Sequence, residues 1–183
     1  MDAGRAQTGP VTTSPDGLRS LRALGHPLRL RILSLLTGTA MSAAEAAREL
    51  GESQANVSYH LRRLHGAGLV RVAEEVSIRG GRAKRYRHGP ESGERLEAGR
   101  ADHLVLAAVL GEELRRRTEL RKPRVRGSTT DAEVWVSPQA WQTALRLARQ
   151  LGEVLHEEAK PPRTPGTVRA SATISLFQMH PRQ

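Results

Sequence analysis

Residues 53–64, SQANVSYHLRRL, combine side chains that can hydrogen bond to nucleic-acid bases with apolar residues at helical spacing. On a helix that turns by about 100° per residue, Val57, Leu61 and Leu64 share one side. The opposite side and the leading end carry amide, hydroxyl and guanidinium groups, which match the donors and acceptors on base edges in the major groove. We therefore predict base contacts from Gln54, Asn56, Ser58, Tyr59 and Arg62.

The residues before this segment predict a second helix that would position it. Residues 41–50 are rich in alanine, and Ser42 is followed three positions later by Glu45, which is the spacing of a capping box. Gly51 is a typical helix stop, and Ser53 is a typical cap for the helix that follows. Two helices joined by so short a turn predict a helix-turn-helix.

A basic hairpin is predicted directly after the second helix. Residues 69–76 (LVRVAEEV) form one arm, residues 82–88 (RAKRYRH) form the other, and Gly80 and Gly81 permit a tight turn between them. Clustered cations repel one another unless a polyanion lies nearby, although a solvated basic surface is the alternative. His60 either orients the helix or touches a phosphate. We predict DNA backbone contacts from Ser53, His60, Arg63, Arg79, Arg82, Lys84 and Arg85.

Residues 18–88 resemble the winged helix-turn-helix of ArsR/SmtB-type regulators. The resemblance rests on LRALGHPLRLRILSLL, on SQANVSYHLRRLHGAGLV and on RGGRAKRY, and the region 18–88 covers about two fifths of the chain. It implies that the second helix of the motif enters the major groove and that the hairpin touches the flanking backbone. It also implies a homodimer on a near-palindromic operator, usually with repression as the outcome.

The chain departs from the metal sensors of that family. It has no cysteine, and Ala43, Ala44 and Ala46 stand where thiolate ligands for soft metals commonly lie. The family's alternative zinc or nickel site lies on the helix after the wing, where this chain offers only Asp102 and His103. We therefore predict no metal site and no cofactor.

Composition favours a nucleic-acid partner and excludes several other classes. The formal net charge is +10, and residues 1–90 hold fourteen Lys and Arg against seven Asp and Glu. No run of apolar residues is long enough to span a bilayer, and residues 1–15 are predicted to be a disordered arm rather than a signal peptide. No catalytic motif is present, so we predict a cytoplasmic protein that is not an enzyme.

A long helix is predicted over residues 91–122, with the continuous apolar run LVLAAVL at its centre. Seven consecutive apolar residues point to all sides of a helix, so one neighbouring surface cannot bury all of them. Packing between the winged domain and a partner subunit would bury the whole run. The alternative is that the helix lies inside the core of a monomer. The predicted dimerisation residues are Leu104, Val105, Ala108 and Leu114.

Residues 131–178 are predicted to form a strand-helix-strand extension. Residues 132–136 (AEVWV) favour a strand, residues 168–176 alternate between apolar and polar types, and Ser137-Pro138 is a typical helix start between them. Two strands are marginal as a sheet, so we expect two extensions to associate in the dimer as four strands. The extension also holds aromatic residues that either line an effector pocket or fill a small core, namely Trp135, Trp141 and Phe177.

The predicted fold class is mainly α with a small β component. A winged helix-turn-helix over residues 16–90 is followed by the long helix and by the extension. The predicted function is that of a sequence-specific DNA-binding transcriptional regulator that acts as a homodimer. The resemblance implies that it is a repressor. The alternatives are a winged-helix protein-interaction module and a non-specific nucleoid protein. The first would be expected to carry apolar or acidic residues at Ala55, Ser58, Tyr59 and Arg62, and the second would not need Gln54 and Asn56 for base edges.

Overall fold

The computed structural model describes residues 22–78, 81–89 and 100–180. Helix α1 (Pro27–Gly38) begins with proline, which is tolerated at the first helical position because the N–H that it lacks would have no partner there. His26 caps this helix, since its Nδ1 accepts a hydrogen bond from the backbone N–H of Leu28 at 3.1 Å. The helix buries Leu28, Ile32, Leu33 and Leu36 in the core.

The two helices of the predicted motif are confirmed as α2 (Ala43–Leu50) and α3 (Gln54–Gly66). Ser42 and Glu45 form the expected capping box at the start of α2, and Gly51 ends α2 in the left-handed conformation at φ 67°. Ser53 caps α3, because its Oγ accepts a hydrogen bond from the N–H of Asn56 at 3.2 Å. Local capping chemistry therefore places both helix starts where the sequence predicts them.

The wing is a three-stranded antiparallel sheet of β1 (Met41–Ser42), β2 (Arg71–Ile78) and β3 (Gly81–Arg87), with β3 in the centre. The β2–β3 hairpin confirms the predicted arms to within two residues at each end, and a register shift lies between Val72 and Glu74. The sequence did not predict β1, which pairs Met41 with Tyr86 and Ser42 with Arg85. This pairing joins the wing to the residue that caps α2.

One apolar core holds the winged domain together. Buried side chains of α1, α2 and α3 meet in it, and the half-buried Tyr86 of β3 packs against it. The Tyr86 ring also makes an edge contact with His65 at the end of α3, with 5.9 Å between ring centroids. The second helix of the motif is therefore fixed on its inner side by both the helices and the wing.

The long helix after the wing is α4 (Arg100–Thr118), which lies inside the predicted range of 91–122. The part of that prediction before residue 100 falls outside the described residues. Leu106 packs against the core of the winged domain, whereas Leu104 is 63% exposed. The apolar run is therefore only partly covered within one chain, because its remaining members lie on the other sides of the helix. All four predicted dimerisation residues are exposed, namely Leu104, Val105, Ala108 and Leu114.

The extension differs from the prediction in its strands. Its helix is present as α5 (Pro138–Glu157), capped by Ser137 as expected, but residues 132–136 and 168–176 form no strand. A strand needs a neighbour to receive its backbone N–H and C=O groups, and a single chain supplies none beside either segment. Trp135 is 89% exposed and Phe177 is also exposed, while Trp141 is half-buried. Trp135 and Phe177 are therefore not packed in a core within one chain.

The extension nevertheless contacts the winged domain. A Cβ atom at Gly38 would lie 2.5 Å from the carbonyl oxygen of Lys160, so only glycine allows this approach at the end of α1. Arg163 forms an ion pair with Glu49 of α2. Farther along the chain, Arg117 of α4 donates to the Thr173 hydroxyl at 2.9 Å. These contacts attach the extension on surfaces other than α3.

Candidate nucleic-acid interface

Helix α3 is divided into a buried seam and an exposed face. Val57, Leu61 and Leu64 are at most 1% exposed and pack in the core. Among the predicted base-contact residues, Ser58 is half-buried and the others are exposed, namely Gln54, Asn56, Tyr59 and Arg62. The structure therefore brings these polar side chains together on one helix, on the side away from the seam.

Hydrogen bonds hold part of this exposed face in place. Arg62 Nη1 donates to Ser58 Oγ at 3.0 Å, and Asn56 Nδ2 donates to a carboxylate oxygen of Glu52 at 3.2 Å. Ser53 Oγ is occupied as an acceptor by the cap of α3, but its hydroxyl proton remains available for donation to a phosphate. The face thus offers hydrogen-bond donors on side chains whose positions are already restricted.

Arg63 lies beside the same face and stacks on Tyr59. The Arg63 Cζ atom is 5.8 Å from the centre of the Tyr59 ring, within the range of a cation–π interaction. Tyr59 is 49% exposed, so its ring supports the guanidinium at the surface rather than in the core. Arg63 is exposed as well, in a position open to an anion.

His60, one of the predicted phosphate contacts, is buried and not open to a phosphate. It is 6% exposed and its ring lies against the His26 ring, with 4.4 Å between centroids. Its Nδ1 is buried without a hydrogen-bond partner among the described residues. The phosphate-contact prediction for His60 is wrong because its position on α3 faces α1, and its packing orients α3 instead.

Burial keeps His60 in its neutral form. Desolvation lowers the pKa of His60, the positive charges of His26 and Arg29 lower it further, and the Glu52 carboxylate acts in the opposite sense. Tyr59 is the other titratable side chain beside it, with its ring centroid 5.1 Å from that of His60. Protonation of His60 would therefore place a buried charge between a histidine and an arginine.

The winged domain is expected to lose stability in mild acid through His60. An unfolded histidine binds a proton below pH of about 6.5, whereas His60 with its lowered pKa resists protonation, so the unfolded state binds more protons as the pH falls. The stability that neutral His60 supports is present above that pH and is lost below it. Melting temperatures measured between pH 7.5 and 5.5 should therefore fall less in His60→Leu than in the unsubstituted protein.

The exposed His103 on α4 provides the matched control for this measurement. His103→Leu should keep the pH dependence of the unsubstituted protein. If His60→Leu also keeps that full dependence, His60 is not the group responsible.

Two of the cations predicted to contact phosphate lie on the surface of the wing. Arg82 and Lys84 are exposed on β3, although Arg82 also pairs with Glu75 at 3.2 Å. Both can reach an external phosphate, because a surface ion pair is readily exchanged for another. Arg79, which the sequence also predicts to contact phosphate, lies outside the described residues.

Arg85 connects the wing to the helix pair. Its Nη1 lies 2.7 Å from Glu74, its Nε lies 3.2 Å from Glu45, and its Nη2 donates to the carbonyl oxygen of Ala40 at 2.6 Å. All three nitrogens therefore lie close to oxygen atoms of the chain, although the buried Nε forms no hydrogen bond among the described residues. Arg85 therefore acts as a structural link, and its predicted contact with phosphate stays a prediction.

The hairpin also carries a pair of arginines that the sequence did not single out together. Arg71 lies directly opposite Arg87 in the β2–β3 register, and both are exposed. Like charges at opposed strand positions are destabilising, so an anion between them would be favourable. The register shift between Val72 and Glu74 brings Arg71 opposite Arg87, and no residue pattern in the sequence indicates that shift.

A helix pair with an exposed polar second helix, followed by a basic hairpin, is now defined. Residues 24–73 match the family model of a helix-turn-helix domain. The match spans α1, α2, α3 and the start of β2. The chain thus carries a helix-turn-helix domain, which supports a DNA-binding transcription regulator. A search of curated proteins finds no match to the sequence.

Two further observations concern other kinds of site. Within residues 22–78, 81–89 and 100–180, no three His, Asp or Glu side chains come together as the ligands of a metal would. In the same part of the chain, no helix is both long enough and apolar enough to cross a membrane.

Proposed function

We propose that this protein is a sequence-specific transcriptional regulator of the ArsR/SmtB type, acting as a repressor on a near-palindromic operator. The observation that carries the proposal is the division of α3, whose buried seam fixes the helix while its opposite face presents hydrogen-bonding side chains. Helices of this kind read base edges in the major groove. The exposed cations of the hairpin are suited to the flanking phosphates.

The proposed regulator acts as a homodimer through α4. Leu104, Val105 and Leu114 are about half exposed or more, and apolar side chains of this size are stabilised when a second subunit covers them. A two-fold dimer presents two α3 helices, and two such helices match the two halves of a near-palindrome. The extension, with its uncovered Trp135 and Phe177, is proposed to associate in the same dimer.

The experiment that tests the proposed function compares two DNA duplexes. Fluorescence anisotropy measures binding of the full chain to its own upstream DNA and to a scrambled duplex of equal length, over a series of salt concentrations. A specific regulator should prefer the upstream DNA by about 1,000-fold or more, with two chains bound per operator. Equal affinities with a steep salt slope would support a non-specific nucleoid protein, and absence of binding to both would support a protein-interaction module.

Replacement of Gln54 tests base reading directly. Gln54→Ala is expected to weaken binding to the operator by about 1 to 3 kcal/mol, because a side-chain amide can form two hydrogen bonds with one adenine. Binding to the scrambled duplex should change little, since phosphates dominate it. Anisotropy titrations on both duplexes measure the two effects.

Gln142 is the matched control, since it is an exposed glutamine on α5. Gln142→Ala should leave both affinities unchanged. Equal losses on the operator and on the scrambled duplex for Gln54→Ala would contradict its assignment to base contacts.

A further inference from the structure

Arg29, in the first turn of α1, is a half-buried cation without an ion-pair partner among the described residues. Its Nε is fully buried and has no hydrogen-bond acceptor. Its neighbour Arg31 is different, because it donates to the carbonyl oxygen of Leu50 at 2.9 Å and lies 3.6 Å from Glu52. A charged group that loses water without gaining a partner destabilises the folded state. A contribution to the stability of the fold therefore does not explain the buried charge of Arg29.

The packing of α1 on α3 places Arg29 next to Arg63. The rings of His26 and His60 are in contact, and each arginine lies three residues after one of these histidines on the same side of its helix. Burial lowers the pKa of Arg29, and the positive charge of Arg63 lowers it further. The positive charges of Arg29 and Arg63 therefore oppose each other where α1 packs on α3, while Tyr59 acts on the pKa of Arg29 in the opposite sense.

The surrounding side chains do not neutralise this pair. Glu52, a nearby carboxylate, is already engaged by Arg31 and by the Asn56 amide. Tyr59 holds Arg63 by its ring rather than by a negative charge. Two neighbouring guanidinium groups with unused N–H donors form a typical phosphate site, because each can donate to a phosphate oxygen.

We propose that Arg29 and Arg63 together bind one phosphate of the DNA backbone, at the edge of the groove that α3 reads. The site lies where α1 meets the exposed side of α3, so it extends the contact surface from the helix-turn-helix and the wing to the start of α1. The inference rests on the proposed function. A bound phosphate supplies the negative charge that the free protein lacks there, and it fixes the angle at which α3 enters the groove.

The test replaces Arg29 with methionine, which keeps the length of the side chain but removes its charge. Arg29→Met is expected to weaken binding to the operator and to the scrambled duplex alike, by about tenfold, and to lower the salt slope by about one. Its melting temperature should stay equal to that of the unsubstituted protein or rise, because an unpaired charge has left the interior. Arg29→Lys should retain the salt slope.

The control is Arg149→Met on the exposed surface of α5, which should change neither affinity nor melting temperature. If the unsubstituted protein prefers the operator and Arg29→Met binds both duplexes as strongly as it does, the phosphate site is wrong while the proposed function stands. A lowered melting temperature of Arg29→Met with an unchanged salt slope would also overturn the site. If the unsubstituted protein binds neither duplex, both proposals fail.

Discussion

Replacing Leu61 with alanine is expected to lower the free energy of unfolding of the winged domain by about 3 kcal/mol. Leu61 is 1% exposed and lies in the middle of the seam of α3, so the substitution removes buried methyl groups and leaves a cavity between α3 and its neighbours. This is a large fraction of the 5 to 15 kcal/mol that typically separates folded from unfolded domains, on the order of a quarter. Urea denaturation followed by circular dichroism measures the change.

Leu147→Ala is the matched control, since Leu147 lies on α5 and is 54% exposed. The same chemical change at this site should lower the free energy of unfolding by well under 1 kcal/mol, because little apolar area is lost. Similar losses for both substitutions would show that the seam of α3 is not the packed core described here. At temperatures where Leu61→Ala remains folded, its exposed face is unchanged, so its preference for the operator over scrambled DNA should persist.

The second large effect is expected at Arg85. Arg85→Ala removes the partner of Glu45, of Glu74 and of the Ala40 carbonyl oxygen, and it should lower the free energy of unfolding by about 2 to 3 kcal/mol. The effect is smaller than for a fully buried ion pair because the Arg85 side chain is 28% exposed and water can partly replace it. Chemical denaturation at neutral pH measures this loss.

The neighbouring Lys84 separates the structural role from a phosphate contact. Lys84 is exposed on the same strand, so Lys84→Ala should leave stability nearly unchanged while it lowers the salt slope of DNA binding by about one. Arg85→Ala should show the opposite pattern, with a loss of stability and a smaller effect on the salt slope. If Arg85→Ala proves as stable as Lys84→Ala, the three contacts of Arg85 do not hold the wing to the helices.

The parts of the fold that depend on neighbouring residues could be predicted from the sequence. Ser42 with Glu45, Gly51, and Ser53 act within one helical turn, and each is where its local chemistry places it. The division of α3 also followed from residue spacing, because a helix has a fixed period. Strand β1 was missed because two residues carry no period, and its partner Tyr86 lies far along the chain.

The roles of individual side chains depended on contacts that the sequence does not contain. His60 and Arg85 were both expected to contact phosphate, but the packing of α1 on α3 buries the first and two carboxylates occupy the second. Arg29 was overlooked because an arginine in a helical segment is unremarkable until its burial and its missing partner are known. The alternating residues of the extension favour strands, but a ladder also requires a neighbouring strand.

The division of α3 also affects how readily such a domain could acquire a new binding sequence. The residues at positions 54, 55, 58 and 62 do not contribute to the buried seam, so substitutions there change stability by only about 0.5 kcal/mol. If these residues read bases as proposed, base preference can therefore shift one position at a time while every intermediate protein remains folded. Under the proposed function, copies of this gene could diverge toward different operators without compensating changes in the core.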